Sequence, residues 1–229
     1  MRDFLVKIAL RLGIYNFAVE KLTKAIERKS RKAFHKHGLA TLVKADKACC
    51  SVGTQMFLNF GTLLGAYRNH DFIPYDCDLD VGMMADKRPA DFEKVMQQHG
   101  FALKKEFYDK NTGEITEDQF ESDGVQIDFF YYFADGDDVY CHVAHRHETK
   151  EWKEANRTDG FPCVIRPCTN DEMERRTFLG HEFYMPKDTD RWLKSLYGND
   201  YMTPIKGWQD TTPDIRIIHT GKRLYRRYL

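Results

Sequence analysis

The chain has 229 residues, 42% of them hydrophobic, and its 35 basic residues balance its 35 acidic residues. This length and composition fit one catalytic domain with a sizeable core. The zero net charge excludes the strongly basic footprint of a nucleic-acid-binding protein, and no apolar run reaches the roughly 18 residues of a membrane-spanning helix.

An N-terminal helical segment over residues 1–48 is predicted to precede a catalytic domain over residues 49–229. Between Arg2 and Lys47 there are 12 basic and 4 acidic residues. Apolar residues recur there at helical spacing, which favours amphipathic helices packed on the domain. The alternative is peripheral docking on an anionic membrane surface, such as the inner face of a cell membrane.

Six cysteines occur without a clean secretory signal, so we expect reduced thiols in a cytoplasmic protein. Some of them lie close to histidines and form one zinc hypothesis. Its candidate ligands are Cys141, His142, His145, His147, Cys163 and Cys168. Their spacing fits no standard zinc finger, and the pair-based pattern that such sites use is missing.

The first candidate binding element follows a helix predicted over residues 39–50 and a short strand over residues 55–60. Thr62 is predicted to cap a helix that runs through about Tyr67. The free N–H groups of such a helix start suit a phosphate, so Gly61 and Thr62 are candidate phosphate-binding residues. Arg68 is a third candidate phosphate-binding residue, because the N–H groups of its guanidinium form a fork that matches phosphate oxygens.

An acidic strand is predicted next, over residues 76–80. Alternate residues of a strand point to the same face, so Asp78 and Asp80 aim together while Leu79 and Val81 face a core. Adjacent ionised carboxylates repel unless something neutralises them, and the usual partner is a hard divalent cation such as Mg²⁺. The alternative is an ordinary solvated turn rich in Asp.

A third carboxylate comes from Asp128, inside a strand predicted over residues 124–133. An Asp within such an apolar strand costs free energy unless it is paired or bound to metal. One interpretation is an ion pair with Arg or Lys. The other joins Asp128 to Asp78 and Asp80 in a three-carboxylate site for two metal ions.

Other elements complete the chain. Residues 89–100 are predicted to form an amphipathic helix, and residues 101–108 a strand that a polar turn near residues 111–113 joins to the strand of Asp128. A hairpin turn is predicted at residues 135–137. Asp188 is predicted to cap a helix that ends at Gly198. The basic residues near the C-terminus are expected to be solvated; they are Lys222, Arg223, Arg226 and Arg227.

These motifs resemble the signature of the LicD family, phosphotransferases related to the fukutin and fukutin-related proteins. The family pattern is Gly-Thr-Leu-Leu-Gly, two variable residues and Arg, followed by Phe-Ile-Pro-Trp-Asp-Asp-Asp-Ile-Asp. The matching residues are 61–65, Arg68, 72–74, Asp76, Asp78, Asp80, 127–129 and 197–204. The chain differs at Tyr75, where the family has Trp, and at Cys77, where it has Asp. In the predicted strand Cys77 points away from Asp78, so we expect the catalytic face to be intact.

The resemblance implies an α+β fold, with a nucleotidyltransferase-like mixed β-sheet flanked by helices and preceded by N-terminal helices. It also implies an enzyme that transfers a phosphate-linked group, best known as phosphocholine, from a CDP-activated donor such as CDP-choline. The acceptor would be a hydroxyl of a cell-surface glycan, in lipopolysaccharide, teichoic acid or capsule. Tyr197, Gly198 and Asp200 would shape the wall of the substrate site.

The combined hypothesis gives each residue a role. Asp78, Asp80 and Asp128 are the catalytic residues and the ligands of two Mg²⁺ or Mn²⁺ ions, and Asp128 takes the proton of the acceptor hydroxyl. The partners are the CDP donor and the glycan, with no nucleic acid. Two alternatives stay open: a related enzyme that uses CDP-ribitol or CDP-glycerol, and a domain that binds nucleotides without turnover.

Overall fold

A computed structural model describes residues 15–144, 161–204 and 218–228. Within these ranges, one mixed sheet of ten strands is flanked by four α-helices, which confirms the predicted α+β class. The helices are α1 (Tyr15–Ser51), α2 (Phe60–Asn69), α3 (Phe92–Gln98) and α4 (Thr189–Tyr197). The strands are β1 (Phe57–Leu58), β2 (Asp78–Met84), β3 (Ala102–Asp109), β4 (Ile115–Ser122), β5 (Val125–Asp135), β6 (Asp138–Ala144), β7 (Phe161–Thr169), β8 (Met173–Phe178), β9 (His181–Pro186) and β10 (Ile218–Tyr228).

The strands pair in the order β4-β3-β10-β7-β6-β5-β2-β1-β9-β8, and β4 also pairs with β5. Six strands, β3 to β7 and β10, therefore close into a ring. Strand β5 connects this ring to the remaining strands of the sheet. Its residues 125–130 pair antiparallel with β4, and its residues 126–132 pair parallel with β2 along the opposite edge. This double pairing buries the middle of β5 between two neighbours, which is where Asp128 lies.

Helix α1 packs on the sheet through its C-terminal half. Leu42, Ala45 and Cys49 recur every three or four residues along this helix, and Phe34 lies about two turns before them; all four are buried in the main hydrophobic core. The predicted helix over residues 39–50 is thus confirmed as part of a longer one. The predicted domain boundary at residues 48 and 49 stays a prediction, since α1 continues through it. No helix of the described residues is long and apolar enough to cross a membrane.

The sequence analysis did not predict strands β4, β7, β8, β9 and β10. Of these, β4 matters most for the site: it occupies residues 115–122, between the two strands that a polar turn was predicted to join. Its residues 116–119 are polar yet buried. They tolerate burial because they find partners: Asp118, for example, accepts hydrogen bonds from Arg88 Nη2 at 2.8 Å and from the Tyr131 hydroxyl at 2.6 Å. Hydrophobic alternation, the usual strand signal, is weak in such a segment.

Several boundaries also differ from the predictions. The strand predicted over residues 55–60 shrinks to β1 because α2 begins at Phe60, and the predicted acidic strand begins at Asp78 instead of Asp76. The helix predicted over residues 89–100 is confirmed as the shorter α3. The hairpin at residues 135–137 is confirmed by the pairing of β5 with β6. Asp188 caps α4 as predicted, by accepting a hydrogen bond from the Arg191 N–H.

The C-terminal strand β10 corrects one expectation about the basic residues. Arg227 is ion-paired with Glu106 of β3, so it is not simply solvated. The pair forms because β10 runs antiparallel to β3, which places Arg227 opposite Glu106. The side chains of Lys222, Arg223 and Arg226 lie outside the described part of the chain.

We predict that Gly65→Ala destabilises the fold by about 1–3 kcal/mol, as overpacking does. A Cβ atom at Gly65 would lie 2.7 Å from the Asp71 carbonyl oxygen, so backbone would have to move. The control is Gly38→Ala in α1, whose Cβ atom would lie 3.5 Å from the Phe34 ring, an ordinary contact. It should stabilise the helix by up to about 1 kcal/mol. Urea unfolding followed by circular dichroism measures both, and equal effects of the two substitutions would contradict this account.

Candidate active site

The parallel pairing of β2 with β5 brings three carboxylates together. Asp80 lies opposite Asp128 in the register, and Asp78 lies opposite Gln126. Residues that lie opposite each other on paired strands point to the same face of the sheet, and so do residues two apart on one strand. The structure therefore places the three acids of the sequence hypothesis at one position in the fold.

Two further carboxylates join them, and sequence analysis did not assign either to the site. Asp76 precedes β2, and a Cβ atom at Gly61 would lie 3.1 Å from the carboxylate oxygens of both Asp76 and Asp80. Glu117 lies on β4, two residues before Gln119, which is opposite Asp128. Asp76 could have been found from its place in the acidic motif, whereas Glu117 required strand β4. We call the five residues Asp76, Asp78, Asp80, Glu117 and Asp128 the acidic cluster.

Burial raises the pKa of three of the cluster carboxyls, those of Asp76, Asp80 and Asp128, and repulsion by neighbouring carboxylates raises it further. For Asp80 the pKa lies well above its usual range because of burial, then of Asp78 and Asp76. For Asp128 the same direction comes from burial, then from Glu117 and Asp78. Burial and Asp78 raise the pKa of Asp76 to about 7. A cluster of this kind holds protons near neutral pH unless a cation replaces them.

A strained turn at the start of α2 holds Asp80 in place. Phe60 has a positive φ of 37°, a costly conformation for a bulky residue. It aims the Gly61 N–H at the Asp80 carboxylate oxygen Oδ2, at 3.0 Å. The Asp80 N–H in turn donates to Thr62 Oγ1 at 2.9 Å. Thr62 is thus not the helix cap that we predicted; Asn59 occupies the N-cap position, because α2 begins three residues earlier than predicted.

The groups predicted to hold phosphate at this turn are therefore bonded to Asp80 in the structure. Asn59 strengthens the same connection, since its N–H donates to the Asp80 carbonyl oxygen at 3.1 Å. The buried Asn59 side chain accepts a hydrogen bond from the Tyr132 hydroxyl at 3.0 Å. The start of α2, strand β2 and strand β5 are thereby joined around Asp80.

Asp128 is held by amide groups. Gln126 Nε2 and Gln119 Nε2 both donate to its Oδ2 atom, at 3.0 and 3.1 Å. Its Oδ1 atom is buried and has no hydrogen-bond partner among the described residues. In the described part of the chain no Lys or Arg pairs with this carboxylate, so the ion-pair interpretation of Asp128 gains no support there.

Arg68 lies beside the acidic cluster, where its charge opposes the rise in the pKa of Asp76. Its side chain donates from Nη1 to the Tyr201 carbonyl oxygen at 3.2 Å and from Nε to Asn69 Oδ1 at 2.8 Å. Tyr201 is fixed by its hydroxyl, which donates to Asp190 Oδ1 at 2.7 Å. The C-terminal motif therefore reaches the site through Tyr201.

The three residues of that motif predicted to shape the substrate wall have different surroundings. Gly198 is buried and ends α4 with a positive φ of 85°. Tyr197 is partly buried against the core, and Asp200 is exposed. The positive φ gives Gly198 a structural reason to be glycine. The substrate role of all three residues stays a prediction.

The donor chemistry of the acidic cluster fits a hard divalent cation, since all its ligand atoms are carboxylate oxygens. The unpartnered Asp128 Oδ1 atom and the raised pKa values point the same way. Within the described ranges, no group of three or more Asp, Glu, His or Cys side chains lies close enough together to hold a metal ion by itself. Mg²⁺ does not need a complete protein cage, because it is usually held by one or two carboxylates with water and substrate phosphates.

The described residues include only some of the candidate zinc ligands. His145 and His147 lie outside the described residues, and so does the side chain of Cys163. Cys141, His142 and Cys168 are buried on β6 and β7. The hypothesis therefore stays a prediction. The described cysteines are Cys49, Cys50, Cys77, Cys141 and Cys168, all of them thiols.

Comparisons with known proteins agree with these motifs. A sequence model of the family described as LicD/FKTN/FKRP, nucleotidyltransferase domain, matches residues 53–188. The chain is 26% identical over 181 residues to the ribitol-5-phosphate transferase FKTN of Homo sapiens, an alignment that covers 77% of this chain and 35% of the relative. The Mus musculus protein of that name is 25% identical over 190 residues, covering 80% and 37%. An uncharacterised Caenorhabditis elegans protein is 26% identical over 166 residues, covering 70% and 41%.

The chain thus spans about a third of the length of the ribitol-5-phosphate transferases that it matches. The matched region contains the start of α2, strand β2, strand β4 and strand β5. All five residues of the acidic cluster lie inside it.

We predict that the metal-free protein loses stability as the pH rises through 7, and that Asp76→Asn reduces this loss. The pKa of Asp76 is about 7 in the folded state against 3.8 ordinarily, so between these values the folded state holds a proton that the unfolded state has released. Stability then falls with rising pH across this window. Asp76→Asn should be more stable than the wild type at pH 8 and lose this advantage near pH 4.

Urea unfolding in a chelating buffer, at a series of pH values, measures this difference. The control is Asp86→Asn, which changes an exposed carboxylate beside Lys87. If both variants follow the wild type at every pH, the buried, repelled state of Asp76 is contradicted.

Proposed function

This chain belongs to the LicD family, and we propose that it transfers a phosphate-linked group from a CDP-activated donor to a hydroxyl of a glycan. One observation carries the proposal: the register of β2 and β5 gathers Asp78, Asp80 and Asp128 beside the family's Gly-Thr-Leu-Leu-Gly turn. Carboxylates that are wholly or partly buried at a helix start suit cation-assisted chemistry on phosphate far better than they suit a purely structural role.

Asp78, Asp80 and Asp128 are the residues that would hold Mg²⁺ or Mn²⁺, for which we propose two ions. When bound, such ions neutralise phosphate charge and make an acceptor hydroxyl more acidic. Of the three residues, Asp128 has the clearest remaining capacity, because its Oδ2 atom is already bonded by two amides and its buried Oδ1 atom is not.

Two residues have separate roles in the proposed reaction. Asp128 Oδ1 takes the proton of the acceptor hydroxyl, whose oxygen forms a bond to the outer phosphorus of the donor. The bond from that phosphorus to the CMP oxygen breaks, and CMP leaves with the electron pair. Arg68 binds donor phosphate oxygens through its guanidinium group, which Tyr201 and Asn69 already orient.

Three donors are candidates. The family resemblance supports CDP-choline and transfer of phosphocholine to lipopolysaccharide, teichoic acid or capsule. The human and mouse relatives are named ribitol-5-phosphate transferases, which supports transfer of ribitol phosphate, with CDP-ribitol as the donor that we propose for it. CDP-glycerol is a third candidate of the same chemistry. Competition among the three donors in one assay ranks them, since each releases the same product, CMP.

The place of action is proposed to be an anionic membrane surface on which lipid-linked glycans are built. Lys29, Lys32 and Lys36 are exposed on α1, which supports a peripheral contact of this kind.

The alternative function is a domain that binds CDP compounds without turnover. Binding of CDP with metal and no CMP release from any donor would favour that alternative.

We predict that Asp80→Asn lowers CMP release from the preferred CDP donor at least about a hundredfold. The substitution removes one charge from the metal-binding face, while the amide oxygen still accepts from the Gly61 N–H, so the fold should persist. Asp86→Asn is the matched control and should retain wild-type turnover. Full activity in Asp80→Asn would refute the assignment of the metal site.

Arg68 gives a second kinetic prediction. Arg68→Lys should raise the KM for the CDP donor about tenfold, because a lysine loses the forked geometry that matches phosphate oxygens. The control is Arg191→Met, which removes an exposed arginine of α4. Initial rates of CMP release at varied donor concentration measure both. An unchanged donor KM in Arg68→Lys would remove Arg68 from the donor site.

A further inference from the structure

A row of four polar side chains crosses the sheet through the candidate site. Lys105 of β3 lies opposite Gln119 of β4, which lies opposite Asp128 of β5, which lies opposite Asp80 of β2. Residues opposite each other on neighbouring strands lie close enough for their side chains to interact. A partly exposed lysine is therefore joined to the acidic cluster through one buried glutamine.

Hydrogen bonds connect this row. Lys105 Nζ donates to Gln119 Oε1 at 2.9 Å. Gln119 Nε2 donates to Glu117 Oε1 at 2.6 Å and to Asp128 Oδ2 at 3.1 Å. Gln119 is almost completely buried, so it cannot exchange these partners for water.

The chemistry of these partners fixes the orientation of the Gln119 amide. A lysine ammonium can only donate, so the amide oxygen must face Lys105. The NH₂ group must then face Glu117 and Asp128, and its two hydrogens are shared between two carboxylates. Both ends of the amide thus favour one orientation: the carboxylates accept from its NH₂ group, and Lys105 donates to its oxygen. Removal of Lys105 leaves the oxygen end of this buried amide without that donor, and the hold on the carboxylates is weakened.

We propose that Lys105 is a positioning residue for the transfer reaction: through Gln119 it holds the carboxylates of Asp128 and Glu117 in place. The inference rests on the proposed function and adds a residue to it that no motif contains. Gln119, together with Gln126, occupies Asp128 Oδ2 and leaves Oδ1 as the oxygen that meets the substrate. Lys105 itself touches neither the substrate nor Asp128 in this proposal.

The test compares three variants of the full chain. Lys105→Met keeps length and removes the donor, and Lys105→Arg keeps a donor. Lys104→Met is the matched control, because Lys104 is the neighbouring residue on β3 and makes only a half-exposed ion pair with Glu121. For each variant we would measure kcat and KM for CMP release, the Kd for Mn²⁺ by calorimetry, and the side-chain amide signal of Gln119 by NMR.

We expect Lys105→Met to lower kcat roughly ten- to a hundredfold, the range typical for partners of metal ligands, with little change in the donor KM. Mn²⁺ binding should weaken several-fold although a positive charge has been removed, and the Gln119 amide signal should move. Lys105→Arg should restore most of kcat and of the Mn²⁺ affinity, and Lys104→Met should behave as wild type.

Three outcomes would overturn the inference. Tighter Mn²⁺ binding in Lys105→Met would mean that Lys105 acts only by charge repulsion. A raised KM with unchanged kcat would mean that it binds the donor directly. An unchanged Gln119 signal would mean that the lysine does not orient the amide. If the wild type releases no CMP from any donor while the amide signal moves as expected, the proposed function fails and the positioning role of Lys105 stands.

Discussion

The fold concentrates negative charge at one partly buried place, and much of the molecule is arranged around that constraint. Five carboxylates meet where β2, β4 and β5 come together, and burial and repulsion raise the pKa of Asp76, Asp80 and Asp128. Such a cluster opposes folding when it is ionised and uncompensated. A ligand that brings positive charge would compensate it.

The surrounding structure acts mainly to hold these groups apart and in register. The positive φ of Phe60 directs the Gly61 N–H at Asp80, and a side chain at Gly61 would crowd both Asp76 and Asp80. On the other side, the amides of Gln119 and Gln126 hold Asp128 by one oxygen. Neutral amides suit this role, because they donate to carboxylates without cancelling the charge that would attract a cation.

Much of this site could be predicted from spacing alone. The alternation of Asp78 and Asp80 on a strand, and the isolated Asp128 among apolar residues, follow from the period of a strand. Glu117 and Gln119 could not be predicted, because β4 is polar and lacks hydrophobic alternation. The role of Thr62 was also wrong: its hydroxyl accepts from the Asp80 N–H, a contact 18 residues apart that local capping rules do not contain.

The measurement that tests the central claim most directly is proton release when Mn²⁺ binds to the wild-type protein in the presence of CDP. Calorimetry at pH 7 in two buffers of different ionisation enthalpy counts the protons. The account predicts saturable binding with release of about one proton or more, because carboxyls protonated in the metal-free state must ionise to become ligands. No binding, or binding without proton release, would contradict the claim that the acidic cluster is a metal site.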